Sequence, residues 1–348
     1  MIIKEHASEV ETVGDIQNNR IGIDTNNINY IITLLSTNLY SNPQESFLRE
    51  TISNAYDSHI EAKTDLKVLL ELGKRSEDTI YIRIRDFGVG ISPERFNKIY
   101  KNVGSSTKRG SNEQIGGFGI GRFSALAVAD TVLITSVYDG IKYSYVMYKD
   151  GNQVNIDLLS QMPTKDNTGV EIIIEQPYYT YRDYATIIVE KLQFFPNLFV
   201  INNVKGVNGF YNDIELKYYN TFAVCSNYTN SYSNIAKLLL GNVVYSMPQE
   251  VWKEVPSEVV SLLQDMPIFI KFEVGDLEVT PNREQILLSS STKKALISKF
   301  NEVYTEMIEL ISESIKDLSA TLLGSISLRN RNYLLKLAPE FRTSVDVS

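Results

Sequence analysis

Four strand-like segments follow one another with no helix between them: Val132–Tyr138, Lys142–Tyr148, Asn155–Leu159 and Val170–Glu175. Strands joined by short turns pair antiparallel. The apolar/polar alternation in Tyr143–Tyr148 and Val170–Glu175 marks a sheet with one covered face. Material to cover it lies upstream. A helix is expected from near Asn26, carrying Ile28, Ile31, Ile32, Leu34 and Leu35, until Tyr40-Ser41-Asn42-Pro43 breaks it. A second helix is expected from about Gln44 to Ala62, then strands near Leu66–Leu72 and Thr79–Arg85, a short helix from Pro93 and another over Gly119–Ala129. A chain of 348 residues suits two domains. Composition shifts near Gln176-Pro177-Tyr178-Tyr179, so the expected division is an arm (1–24), a first domain (25–177), a second domain (178–320) and a tail (321–348). The second domain reads as a helix at Arg182–Leu192, several short strands and a long helix from about Thr292 to Leu318.

Three motifs carry chemistry. On the second helix, Glu50, Asn54 and Asp57 fall at i, i+4 and i+7 and share one stripe. An amide oxygen can join a magnesium shell, and a carboxylate can take a proton from water. A plain amphipathic helix with a polar outer face has the same pattern. Directly after the second strand comes Asp86-Phe87-Gly88-Val89-Gly90, where Gly88 and Gly90 let a ligand approach the backbone and Asp86 offers an acceptor for an exocyclic amine. Last, Ile115-Gly116-Gly117-Phe118-Gly119-Ile120-Gly121 opens a helix, so that free amides and the helix dipole suit phosphate. A dinucleotide-binding reading fails, because this glycine run does not follow the first strand of a βαβ unit. The polar run Gly104–Arg109, with Lys108, has the composition of a lid over phosphates.

Together, in this order, the motifs resemble the GHKL superfamily of gyrases, heat-shock chaperones, histidine kinases and MutL proteins. Glu50 and Asn54 match its N box, Asp86-x-Gly88-x-Gly90 its adenine box, and Gly117-Phe118-Gly119-Ile120-Gly121 its lid-and-phosphate box. Asn167-Thr168-Gly169 resembles the last box, although Asn stands where the family has Gly. Gly119–Asp130 is similar to the ninety-kilodalton heat-shock chaperones. A narrower likeness, to bacteriophage rIIA-type lysis-inhibition proteins, rests on Leu39-Tyr40-Ser41, Asn54–Ala62 and Gly275–Glu284. The resemblance implies an α+β fold: a two-layer α/β sandwich with a mixed sheet (the Bergerat fold), followed by a smaller α/β transducer-like domain. It implies ATP and Mg²⁺ as ligands, Asn54 on the metal, and Asp57, Gly88, Gly90, Lys108 and Ile120 beside the nucleotide. Asp86 and Thr168 would read adenine, Gly117, Gly119 and Gly121 would bind phosphates, and Glu50 would act as base. Within Thr280–Ile286, Arg283 would reach the γ-phosphate. An ATP-dependent homodimer and a protein client, which the residues do not name, are further expectations.

Other readings stay open or fall away. A nucleotide-binding module with little hydrolysis is the alternative to an ATPase switch. A histidine kinase needs a phospho-acceptor histidine upstream, and residues 1–49 hold only His6. His59, on the N-box helix, reads as structural or solvent-facing, since Glu50 already fits the post of general base. The formal charge of −8 argues mildly against a nucleic-acid groove. The single cysteine, Cys225, excludes a four-thiolate zinc site and an internal disulfide. No basic start followed by an apolar run suggests a signal peptide, and no stretch approaches the ~18 apolar residues of a membrane helix. A cytoplasmic setting is expected, the host cytoplasm for a phage protein, with peripheral membrane contact still compatible.

Overall fold

A computed structural model describes residues 40–100, 121–151, 153–204, 216–225, 236–263 and 268–318. The chain forms two compact units, residues 1–213 and 214–348.

In the first unit, helix α1 (Pro43–Ala62) starts where the local chemistry demands. Pro43 occupies the first turn, where its missing N–H costs nothing, and Asn42 Oδ1 accepts from the Glu45 N–H at 3.2 Å. Lys63, in the left-handed conformation at φ 51°, ends the helix and donates back to the His59 and Ile60 carbonyls. The strands are β1 (Val68–Lys74), β2 (Thr79–Arg85), β3 (Thr131–Tyr138), β4 (Ile141–Asp150), β5 (Gln153–Pro163), β6 (Gly169–Pro177) and β7 (Leu198–Asn202). They form one sheet in the order β5-β4-β3-β6-β2-β1-β7, antiparallel except for the parallel pair β1–β7. The sheet is therefore mixed, as expected.

Alternation sets its two faces. Ile80, Ile82 and Ile84 of β2 are fully buried toward the helices, with Phe47, Leu48 and Ile52 of α1 equally buried. On the other face Arg83 ties three strands together. Its Nε donates to Glu171 Oε2 of β6 at 2.6 Å and its Nη1 to Glu71 Oε2 of β1 at 3.1 Å. Helix α2 (Pro93–Tyr100) lays Phe96 flat on Tyr145 of β4, with ring centroids 3.7 Å apart.

The division between the units lies beyond the one expected after Pro177. Helix α3 (Tyr181–Lys191) buries Tyr184 and Ile188, and β7 completes the first sheet beside β1. The composition shift at 176–179 marks a short 3-10 turn, Tyr178–Thr180, inside the unit. A second difference concerns the helix expected over Gly119–Ala129. Its described part is a 3-10 helix, Gly121–Ala127, with Phe123, Ser124, Ala125 and Leu126 all buried. The tighter winding accompanies close packing of this segment on α1.

The second unit carries a five-stranded sheet in the order β11-β10-β12-β9-β8. Its strands are β8 (Leu216–Tyr218), β9 (Phe222–Cys225), β10 (Lys237–Leu240), β11 (Val243–Tyr245) and β12 (Ile268–Phe272). Helix α4 (Ser257–Leu263) precedes β12, and the long helix α5 (Ser290–Leu318) follows. Ser289 caps α5, its Oγ accepting from the Thr292 N–H at 3.2 Å. Leu296, Phe300, Val303 and Met307 form the buried stripe of α5, and Phe300 stacks on Trp252. Strand β10 was not anticipated; its Lys-Leu-Leu-Leu run is too short to show a period.

Candidate functional site

Helix α1 presents chemistry at both of its ends. Toward its start, Glu50 is 6% exposed and Arg49 Nη2 stands 3.6 Å from Glu50 Oε1. The other carboxylate oxygen lies against Gly121, at the start of the 3-10 helix; a Cβ there would collide with Glu50 Oε2. The first and third motifs thus meet at one point, and any side chain at Gly121 would displace the Glu50 carboxylate. One turn on, Asn54 is exposed while its neighbours Ser53 and Ala55 are buried. Asp57 is buried in the packing of α1.

The far end of α1 meets the turn that follows β2. Asp86 is 5% exposed, and its Oδ1 accepts from the Gly88 N–H at 2.8 Å. Its own N–H donates to the Val170 carbonyl of β6 at 2.9 Å. The Phe87 N–H donates to His59 Nε2 at 2.8 Å, and the Val89 N–H to Ser58 Oγ at 3.2 Å. At the turn's exit the Ile91 N–H donates to Ser136 Oγ of β3 at 2.8 Å, and that hydroxyl returns a bond to the Ile91 carbonyl at 3.0 Å. Every second amide of the turn is therefore anchored to a neighbouring element. Gly88 approaches Ser58 too closely to admit a Cβ, and Gly90 holds φ at 66°.

The loop before β6 closes the arrangement. Gly169, at φ 136°, packs against the backbone of Asp86 and Phe87, and the Thr168 methyl faces Gly90. Arg85 Nη2 donates to the Asn167 carbonyl at 2.6 Å, and its guanidinium lies over the Phe87 ring. Lys142 Nζ fixes the neighbouring Asp166 at 2.9 Å. Thr168 itself is exposed.

Burial dominates the electrostatics. It pushes the Asp86 carboxyl up to about 6, against the opposing bonds from Gly88 and Ser58. Burial also holds His59 below its ordinary value, with a hydrogen bond to the Leu66 backbone opposing it. An imidazole accepting through Nε2 carries its proton on Nδ1, so His59 is neutral and occupied, unsuited to a role as base.

A deep acceptor carboxylate under a glycine turn, an exposed threonine beside it, and a carboxylate–amide pair on the adjoining helix can receive a purine with a phosphate chain. Residues 40–176 match the family model described as histidine kinase-, DNA gyrase B-, and HSP90-like ATPase. Those residues are similar to GHKL-type ATPase domains. Among similar proteins is the chaperone protein HtpG of Rickettsia typhi, 29% identical over 181 residues, 44% of this chain and 28% of the relative. HtpG of Nitrosomonas europaea is 30% identical over 174 residues, covering 42% and 26%. HtpG of Coxiella burnetii is 32% identical over 142 residues, covering 33% and 21%. The match spans roughly a quarter of the length of these curated relatives.

Within the matched residues, contacts join Glu50 to Gly121, Asp86 to Gly88, Gly90 to Thr168, and Gly169 to Asp86. Lys108, Gly117, Gly119 and Ile120 lie outside the described residues, as do the expected lid, the arm and first helix, His6 and the tail. Arg283 belongs to the second unit, where it is buried at φ 58° and its N–H donates to the Thr280 carbonyl at 2.7 Å. Among the described residues, no group of three His, Cys, Asp or Glu side chains could hold a metal alone. The exposed Asn54, one helical turn from Glu50, offers an amide oxygen that fits a Mg²⁺ held mainly by phosphate oxygens and water. Ser58, Ser136 and Arg85 were not singled out in the sequence. Ser58 follows Asn54 by one helical turn and could have been found by extending the stripe; Ser136 and Arg85 leave no local signal.

Proposed function

We propose that this protein binds ATP with Mg²⁺ and hydrolyses it slowly, and that the nucleotide cycle drives a conformational change or dimerisation. The observation that carries this reading is the Asp86 carboxylate, buried and oriented by the Gly88 N–H, with Thr168–Gly169 against it. Asp86 accepts from the adenine amine, with Thr168 beside it. Asn54 contributes an oxygen to Mg²⁺, which neutralises phosphate charge when bound, while Asp57 lies behind it on the same helix. Gly121, with Lys108, Gly117, Gly119 and Ile120, serves the phosphates, and Glu50 orients and deprotonates the attacking water. Arg283 contacts the γ-phosphate when the second unit, acting as a transducer-like domain, docks. Relatives named as chaperones support a motor of client or partner conformation, and the likeness to rIIA-type proteins, resting on its three quoted segments, supports a phage role in the host cytoplasm. No helix among the described residues is long and apolar enough to cross a membrane.

A second reading, a nucleotide-gated interaction module, is favoured by the neighbours of Glu50. Arg49 stands beside one of its oxygens and Gly121 beside the other. The deciding experiment measures Mg-dependent ATP hydrolysis and equilibrium ATP binding for the wild type and Glu50→Ala. Turnover by the wild type, and binding without turnover by the variant, supports the ATPase. Binding without turnover by both supports the gated module, and no binding by either refutes the nucleotide site.

A further inference from the structure

Adenine is read by Asp86 only if the turn carrying it is held still, and the turn's own sequence does not achieve that. Gly88 and Gly90 loosen the backbone where rigidity is needed. Strands β6 and β3 hold its two ends through Asp86 N–H and Ile91 N–H, and its middle is restrained by α1. On consecutive residues of its last turns, Ser58 and His59 take two alternate amides of the turn, Val89 N–H at 3.2 Å and Phe87 N–H at 2.8 Å. His59 is 4% exposed, which leaves its imidazole little room to turn away from the Phe87 N–H. Gly88 packs directly on Ser58, leaving no slack between helix and turn.

We propose that Ser58 and His59 are positioning residues for the nucleobase: together they hold the Asp86 turn in its base-binding conformation and fix its distance from Glu50 on the same helix. This rests on the ATP-site reading above and deepens it. Neither side chain touches the phosphates or the attacking water in that reading. Their loss therefore releases the turn in the free protein, and ATP must reorder it on binding. Apparent affinity falls by the fraction of molecules in which the turn is already formed. Once ATP is bound the turn is formed, so turnover at saturation is largely kept. The acceptor at Nε2 can be supplied by a glutamine amide oxygen, but not by leucine of similar bulk.

The test uses the full chain and four variants: His59→Leu, His59→Gln, Ser58→Ala and Asp86→Asn. Binding of ATP and of inorganic tripolyphosphate is measured by calorimetry, and KM and kcat for ATP by phosphate release. Loss of a buried acceptor predicts roughly ten-fold weaker ATP binding and higher KM for His59→Leu, with kcat within about two-fold. Ser58→Ala should behave alike, and His59→Gln should recover most of the loss. Tripolyphosphate, which has no base, should bind all of them as it binds the wild type. Unchanged ATP affinity in both His59→Leu and Ser58→Ala overturns the proposal. So does a parallel loss of tripolyphosphate binding, or a failure of glutamine to rescue, since either marks a general structural role. If the wild type does not bind ATP, the site reading itself fails. If the wild type binds ATP, Asp86→Asn does not, and both His59→Leu and Ser58→Ala are normal, only the positioning role fails.

Discussion

Replacing Asp86 by Asn should make the protein more stable and less able to bind nucleotide, and the size of the first effect follows from the site. Asp86 is 5% exposed, and burial raises its carboxyl from 3.8 to about 6. A group whose folded pKa lies above its unfolded one binds its proton more tightly in the native state. It favours folding fully below the unfolded value, and that contribution is lost as pH rises through the folded value. That rise in the carboxyl pKa corresponds to a penalty of about 3 kcal/mol on the native state at neutral pH. About 2 kcal/mol of this should appear between pH 7.5 and pH 4.5, with the wild type gaining stability on acidification relative to Asp86→Asn. The amide keeps the shape and one acceptor for the Gly88 N–H. The only tryptophan, Trp252, lies in the second unit, so its fluorescence reports on the wrong part. Urea-dependent hydrogen exchange of β2 and β6 peptides reads the right one. The same variant should lose ATP binding at pH 7.5. Parallel pH dependence in wild type and variant would refute the burial argument, and full ATP affinity in the variant would refute the assignment of Asp86 to the base.

The other expectations are more direct. Glu50→Gln should bind ATP within a few-fold of the wild type and lose at least ~100-fold in kcat, read by phosphate release. Gly169→Ala should cost on the order of 2 kcal/mol or more in urea unfolding, because φ is 136° and the new Cβ meets the Asp86 carbonyl. A fragment of residues 1–213 should fold cooperatively, whereas residues 1–177, which lack α3 and β7 and leave β1 an open edge, should be prone to aggregation; circular dichroism and light scattering compare them.

Much of the first unit was legible because period and spacing are local. The 2.0 period placed β4 and β6, and the 3.6 period placed Leu48, Ile52 and Ala55 on the packed side of α1. Burial of Ser46, Arg49, Glu50, Ser53 and Asp57 was not legible in that way. A polar stripe normally faces water, and this one turns inward because the helix is enclosed by the sheet on one side and the 3-10 helix on another. The late boundary between units was hidden for a different reason. The parallel β1–β7 pair joins residues some 130 positions apart, Val68 with Leu198 and Leu72 with Asn202, and no local pattern records a pairing of that kind. The contact of Arg85 with the Asn167 carbonyl, 82 positions apart, is equally invisible to a local pattern.

That contact bears on the one departure from the superfamily pattern, Asn167 where glycine is usual. A glycine is needed where φ is positive or where another backbone comes too close for a Cβ. Among the described residues the non-glycine positions with positive φ are Lys63, Asp139, Asn197 and Arg283, and Asn167 is not among them. The left-handed turn and the close approach to the Asp86 carbonyl both fall at Gly169, two residues later. What position 167 supplies is a carbonyl, which any residue carries, and Arg85 takes it at 2.6 Å. The substitution therefore costs the loop none of its geometry, and Thr168 still stands beside Gly90 where a base edge would arrive. A departure that leaves every backbone contact in place gives no support to a loss of nucleotide binding, so the difference between an ATPase and a gated module turns on Glu50 and its two neighbours, Arg49 and Gly121.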